Sequence, residues 1–297
     1  VSKRKSKLGA SDNIWGYLFI TPQIVGLLAF TLFPVATSVY LCFLQWDFTS
    51  QAEFVGLENF NTIFQEELFT KSIVNTFLIV LGVVPLTVLV SLALALLTTG
   101  KMRGLAVYKS ALFLPMVTSS AAVILVWYWI YAPEIGLLNY FLEQLGIGGP
   151  QWLTETFWAR AAIVLMLTWQ GMGYYYIIFL AGLKGIPHDY YEAANIDGAS
   201  AFQKFFKITL PLLSPTTFFI VVTMLISGFN AFQEPFILTK GGPNFSTYNI
   251  VMYVYDLAFR YFRMGEAAVV SVVMVLIIGI VTYIQFRFSK RWVTYLD

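Results

Sequence analysis

Two apolar stretches carry the most regularly spaced polar groups in the chain. Gln170, Tyr174 and Ile177 stand at i, i+4 and i+7, with Tyr175 and Tyr176 beside them, so a helix gathers them on one face. Ser227, Asn230 and Glu234 recur at i, i+3 and i+7, with Gln233 adjacent. Aromatic rings with amide and carboxyl groups are what the CH faces and hydroxyls of a sugar would use, by stacking and hydrogen bonding without bond making. Asn, Ser and Tyr in membrane helices also bond neighbouring helices, and that reading stays open for each. Glu234 differs in kind, because an ionisable group at a span's end is costly unless it faces water, a gate or a partner.

Bond-making chemistry finds no constellation. His188 is the only histidine and Cys42 the only cysteine, which excludes a histidine-cluster metal site, an intrachain disulfide and a Ser-His-Asp triad elsewhere. No Gly-x-x-x-x-Gly-Lys-Ser/Thr phosphate loop occurs, since the pair Gly100-Lys101 continues into Met102. Gly146-x-Gly148-Gly149 and Gly171-x-Gly173 lack a strand-helix context and read as turns or close helix packing. No catalytic residue, metal ligand or cofactor of this chain's own is expected.

The elements that must position these groups follow from composition. Of 297 residues 58% are hydrophobic and 11% charged, which excludes a soluble globular domain. A net charge of +2 offers no basic surface for nucleic acid. Charge-free gaps then mark the membrane crossings, because a charge at the bilayer centre costs about 2.5 to 3.5 kcal/mol. Six gaps reach spanning length: Asn13 to Trp46, Ser72 to Gly100, Ser110 to Pro133, Ala161 to Leu183, Ile208 to Gln233 and Ala267 to Phe286. The segment Gly241 to Tyr255 is too short and polar, and reads as a loop. Pro22 and Pro34 predict a kinked or partly interfacial entry to the first span, which is read as a retained helix. Trp127, Tyr128, Trp129 and Tyr131 read as an outer aromatic belt, and Asn244-Phe245-Ser246 as a chance sequon.

Orientation follows from the sign of the charges. With the N-terminus inside, the inner segments hold 13 of the 18 Lys and Arg residues, among them Lys3, Arg4, Lys5, Lys7, Lys101, Arg103, Lys109, Lys184, Lys204, Lys207, Arg287, Lys290 and Arg291. Lys71, Arg160, Lys240, Arg260 and Arg263 stay outside with most acids. The positive-inside rule therefore predicts an all-α polytopic protein of six spans, N-in and C-in. Its parts are a tail, first span and outer loop over 1–71, one membrane domain over 72–290 and a tail over 291–297.

One inner loop, 184–215, is more than a connector. Pro187 can open a helix, Asp189 and Glu192 are favoured near its start, and Gly198 can end it with a positive φ. Phe202, Phe205, Phe206 and Thr209 then fall at helical spacing until Pro211 stops or kinks the chain. Periodicity alone fits a helix lying at the headgroup boundary as well. His188 reads as a solvated loop residue.

The order of residues in this loop resembles a known signature. Glu192-Ala193-Ala194, Gly198, Ile208, Leu210 and Pro211 match the EAA motif of permease subunits of binding-protein-dependent ABC importers at each position. Asp197, Ala199, Phe205 and Pro215 match its sugar-importer version. Thr21-Pro22 through Phe33-Pro34 with Trp46-Asp47, Gly56-Leu57-Glu58-Asn59-Phe60, Leu114-Pro115 and Leu238-Thr239-Lys240-Gly241-Gly242-Pro243 are similar to the carbohydrate-uptake group, in particular to the first permease of the maltose importer. The chain lacks the extra N-terminal helices and large outer domain of that maltose subunit, so binding-protein contacts through those parts do not carry over.

The resemblance implies the type I importer permease fold in a bacterial inner membrane. It implies a heterodimer with a second permease, an ATPase dimer that binds the ATP and Mg, and an extracytoplasmic solute-binding protein delivering a sugar. In this picture Glu192 is a charged contact to the ATPase, Ala193 and Ala194 permit docking, and Gly198 makes the turn. Gln170, Tyr174, Tyr175, Ser227, Asn230, Gln233 and Glu234 would line the substrate path. The alternatives are an ion-coupled secondary transporter or channel, against which the spans hold no cluster of acids, and a membrane-embedded enzyme.

Overall fold

The computed structural model describes residues 10–100 and 104–294. The N-terminal cations Lys3 to Lys7, Lys101, Arg103 and the last three residues of the tail lie outside the described residues.

The chain is helical almost throughout. Helix α1 (Ala10–Leu27) runs through one π-helical turn, Leu28–Leu32, into α2 (Phe33–Leu41). The prolines do not split this stretch: Ile14–Leu41 forms one candidate span of 28 residues. The wide turn lets Phe33 N–H donate to the Leu28 carbonyl, so the missing N–H of Pro34 falls where the ladder is already offset. A two-residue hairpin, β1 (Leu44–Gln45) and β2 (Glu53–Phe54), leads to α3 (Glu58–Gln65) and the long α4 (Glu67–Leu97).

The third charge-free gap is not one straight helix. It forms α5 (Leu105–Val117) and α6 (Ser120–Ile130), which meet at 99°. Thr118 and Ser119 are extended at the break, and the Thr118 hydroxyl bonds the Leu114 carbonyl at 2.9 Å. A run of three hydroxyl residues after Pro115 competes with the helical ladder and ends it. Short α7 (Leu137–Gln144) precedes α8 (Thr156–Lys184).

The inner loop folds as α9 (His188–Ile196) and α10 (Ala201–Lys204), then a π turn over Phe205–Thr209, α11 (Leu210–Leu212) and α12 (Ser214–Phe229). Pro211 is carried by the π turn, and the chain bends by 60° only at Leu213. After α13 (Gln233–Leu238), the segment read as a plain loop contains α14 (Ile250–Tyr255), and Ser246 to Ile250 are all buried. Helix α15 (Met264–Ser289) closes the bundle, and its start is tied to the start of α4 by Arg263, whose Nη2 lies 2.8 Å from Glu66 Oε1.

Among the described residues four helices are long and apolar enough to span a membrane, and up to six if each bent pair is one crossing. The central packing joins α4, α8 and α12 through Val80, Val84, Tyr176, Phe179, Ile220 and Phe229. Glycines permit it: a Cβ on Gly173 would lie 1.8 Å from the Leu112 carbonyl oxygen of α5, and one on Gly228 would lie 2.9 Å from Val80 Cγ2. By contrast the Ile14–Leu41 stretch buries none of its apolar window.

The aromatic belt needs one correction. Tyr128 and Trp129 are exposed, but Tyr131 is wholly buried, stacks between Trp127 and Trp152, and donates to the Ala162 carbonyl at 2.8 Å. A ring two residues short of the end of that apolar gap turned inward because its hydroxyl found a backbone partner there.

Candidate functional site

Helices α4, α8 and α12 diverge around a cavity of about 770 Å³, closed on one side by the break between α12 and α13. All seven residues singled out from spacing line it: Gln170, Tyr174, Tyr175, Ser227, Asn230, Gln233 and Glu234. Apolar walls come from Ile79, Val80, Val83 and Val84 of α4. A mostly apolar concavity with a few convergent polar groups is the usual form of a small-molecule site.

Several of these polar groups already have partners. Gln170 Nε2 donates to Ser120 Oγ at 3.2 Å, and Asn230 Nδ2 donates to the Ile226 carbonyl at 2.7 Å. Both residues also line the cavity, where an amide oxygen can accept a hydrogen bond. Tyr174 packs edge-on against Tyr175 with centroids 5.1 Å apart, and both rings line the cavity. Glu234 lies just beyond the fifth span, in the first turn of α13, and its burial holds the carboxyl pKa above the ordinary value.

Sequence reasoning missed Thr87, Thr223, Met116 and Phe232, which also line the cavity. Thr223 stands four residues before Ser227 on the face already identified, so the same periodicity extended one turn would have found it. Thr87, paired with Thr168 across α4 and α8 at 3.3 Å, gave no such signal.

The second candidate surface is the loop. Helix α9 ends in a Schellman motif: Ala199 N–H donates to the Ala194 carbonyl at 2.9 Å and Gly198 N–H to that of Asn195 at 3.1 Å. Gly198 has φ +73° and open space around it, while Asp197 is the C-cap. Helix α10 starts in a full capping box between Ser200 and Gln203. Lys204 Nζ donates to Asn195 Oδ1 at 2.8 Å, and Tyr191 bonds Thr209 at 2.9 Å, so the two helices form one lobe.

Glu192, Ala193, Asp197 and Gly198 are exposed and Ala194 is half-buried. Ile196 and Phe202 expose 87% and 72% of their surface, which gives the tip an apolar face among charges. His188 is the first residue of α9 rather than a loop residue, and its Nδ1 lies 3.0 Å from Glu192 Oε1. Ile208 and Pro211 are half-buried and Leu210 exposed, at the π turn and the bend that lead into α12. Among the described residues no group of His, Cys, Asp and Glu could hold a metal ion.

A bundle of paired and broken spans around a central cavity, with a rigid helical lobe on one inter-span loop, defines a membrane permease. The chain belongs to the family described as binding-protein-dependent transport system inner membrane component, whose model matches residues 64–295. It is therefore a non-catalytic, multi-pass permease subunit of an ABC importer in the inner membrane.

Similar proteins include the probable ABC transporter permease protein YesP of Bacillus subtilis, 38% identical over 98% of this chain and 96% of that protein. The sulfoquinovosyl glycerol transport system permease protein SmoG of Agrobacterium fabrum is 33% identical over 95% of this chain and 92% of its own. The lactose transport system permease protein LacF of Rhizobium radiobacter is 32% identical over 97% and 98%. A crystal structure of a bacterial alginate ABC transporter, in complex with its alginate pentasaccharide-bound periplasmic protein, contains a chain with TM-score 0.81 at 22% identity, covering 97% of this chain and 98% of that one. That likeness shows the same fold.

Proposed function

We propose that this chain forms one half of the translocation path for a saccharide or a related polyol, delivered by an extracytoplasmic solute-binding protein and shared with a second permease. The observation that carries this reading is the convergence of Gln170, Tyr174, Tyr175, Ser227, Asn230, Gln233 and Glu234 on one cavity between apolar walls. Amides, hydroxyls and aromatic rings suit a solute made of hydroxyls and CH faces. Relatives named for lactose, sulfoquinovosyl glycerol and sn-glycerol-3-phosphate have polyhydroxylated solutes in common and support that class.

Energy comes from outside the chain. The exposed lobe built from Glu192, Ala193, Ala194, Asp197 and Gly198 docks on an ATPase dimer that binds ATP and Mg, while Ile208, Leu210 and Pro211 carry its movement through the π turn into α12. Both termini are cytoplasmic, as the excess of Lys and Arg on the lobe's side of the membrane requires. The membrane domain runs over 72–290, with 1–71 as its leading segment and 291–297 as its tail.

The test is reconstitution of the permease pair with its ATPase in vesicles, with hydrolysis followed as the binding protein is added with lactose or with a uronate oligosaccharide. Stimulated hydrolysis coupled to uptake of either is expected. Uptake that needs an ion gradient and no ATPase overturns the reading in favour of a secondary transporter.

A further inference from the structure

The buried segment between α13 and α14 is an irregular loop whose backbone groups need partners, and the helices around it supply them. Arg160, near the start of α8, donates from Nε to the Ser246 carbonyl at 2.8 Å and from Nη2 to Asn75 Oδ1 at 2.9 Å. Asn75, buried in α4, donates in turn to the carbonyls of Phe245 at 2.6 Å and Tyr248 at 2.9 Å. Thr76 Oγ1 accepts the Ile250 N–H at 3.0 Å. Arg160 makes no ion pair among the described residues, so a half-buried guanidinium is held by neutral acceptors alone. Such a charge is costly to desolvate, and a less demanding donor would serve packing as well.

The far end of the loop reaches the cavity. Asn249 Nδ2 donates to the carbonyl of Ala231, which lines the cavity in the break between α12 and α13. Thr247 bonds Thr239 at 2.6 Å, and Thr239 caps the Pro235 carbonyl at 2.9 Å, which fixes the other end of α13. The wall bearing Gln233 and Glu234 is the start of the short α13, cut off from α12 by the break after Phe229. Beyond its apolar packing on α6, α8 and Tyr255, its polar side-chain tethers through Asn249 and Thr247 both run through the strap that Asn75 and Arg160 clamp.

We infer that Asn75 and Arg160 are positioning residues for the cavity wall: acting through the 241–249 strap and Asn249, they fix the orientation of Ala231 to Glu234. Their relevance to transport rests on the reading of this cavity as the solute path, but the mechanical link itself does not. Spin labels test it in the assembled complex in vesicles. A nitroxide on Gln233→Cys, in a Cys42→Ser background, reports the wall; one on Ile226→Cys reports α12 before the break, and one on Ile280→Cys reports α15.

Arg160→Gln and Asn249→Asp are each expected to raise the mobile fraction at 233 by about tenfold, the shift that loss of one charge-assisted or buried hydrogen bond produces, with 226 and 280 unchanged. Arg160→Lys keeps the charge but not the fork and falls between. An unchanged spectrum at 233 overturns the inference, and so does an equal rise at all three sites. If Arg160→Gln does not assemble, Asn249→Asp, which keeps the oxygen that accepts the Met252 N–H at the start of α14 and loses only the donor to Ala231, decides. A wall that loosens as expected in a complex that moves no polyol sinks the transport reading and leaves the positioning intact.

Discussion

Gln170 and Ser120 meet at 3.2 Å where α5 and α6 turn through 99°, so a residue of the cavity also supports a break in a span. Irregular backbone at membrane depth survives only where protein or a cavity supplies partners for it. The hydrogen bond couples the two, since Gln170 lines the cavity and bonds the first residue of α6.

That double duty separates two substitutions. Gln170→Ala removes both a polar lining group of the cavity and the bond to the bend, whereas Ser120→Ala removes only the bond. Apparent affinity in uptake assays is expected to fall by about threefold to tenfold in Gln170→Ala, the value of one neutral hydrogen bond, and to change less in Ser120→Ala. Equal effects would assign Gln170 to helix packing alone. Asn230→Ala serves as the companion, and unchanged affinity in both Gln170→Ala and Asn230→Ala would remove the cavity from the solute path.

At the lobe, Gly198 supplies both the positive φ and the N–H of the Schellman closure. Proline can provide neither, and a β-branched residue in the left-handed region costs about 1–2 kcal/mol. Gly198→Pro is expected to leave ATP binding by the assembled complex intact and to abolish binding-protein-stimulated uptake. Gly198→Asn, which tolerates that conformation, is expected to retain coupling. Hydrolysis and uptake measured on the same vesicles distinguish the cases.

The extent to which this architecture was legible in the sequence varied with the physics behind each feature. Charge gaps located the four spanning helices and the two bent pairs because lipid penalises charge regardless of neighbours. The cavity faces were legible in part: Gln170 and Tyr174 share a face of α8, and Ser227, Asn230 and Glu234 all line the cavity although the chain leaves the helix between Phe229 and Gln233. The bend at Thr118 was not, since a hydroxyl run inside an apolar gap changes hydropathy little and acts through competition for backbone bonds. Tyr131 was misread, and the role of Arg160 gave no signal, for a related reason. Their roles depend on the carbonyls of Ala162 and Ser246, and backbone partners leave no mark in a side-chain pattern.

Glu192 is held by His188 on the exposed face of α9, with both side chains largely open to solvent. A surface pair of this kind contributes about 0–1 kcal/mol to stability. Glu192→Ala is therefore expected to leave the melting temperature of the isolated permease pair unchanged. Loss of a charged contact that becomes buried on docking costs about 2–5 kcal/mol, so the same substitution is expected to weaken ATPase retention on the permeases by tenfold or more. A drop in melting temperature without a loss of ATPase retention would make the residue a structural one.

Glu234 gives the site a pH dependence whose sign is fixed by burial. Its carboxyl pKa is raised in the folded protein above the ordinary value of 4.5, with desolvation as the largest cause and its own backbone hydrogen bond opposing it. The neutral acid is thus the form the cavity wall favours. Stability associated with this group is complete below the unfolded-state value and is lost as pH rises through the higher folded-state value. Thermal melts of the complex should therefore show a decline across that window. Glu234→Gln, which keeps the shape and cannot ionise, should flatten it and leave the low-pH melting temperature in place. An unaltered pH profile in Glu234→Gln would mean that the carboxyl is solvated through the cavity mouth, and would shift the origin of any pH-dependent transport to the partner permease or the binding protein.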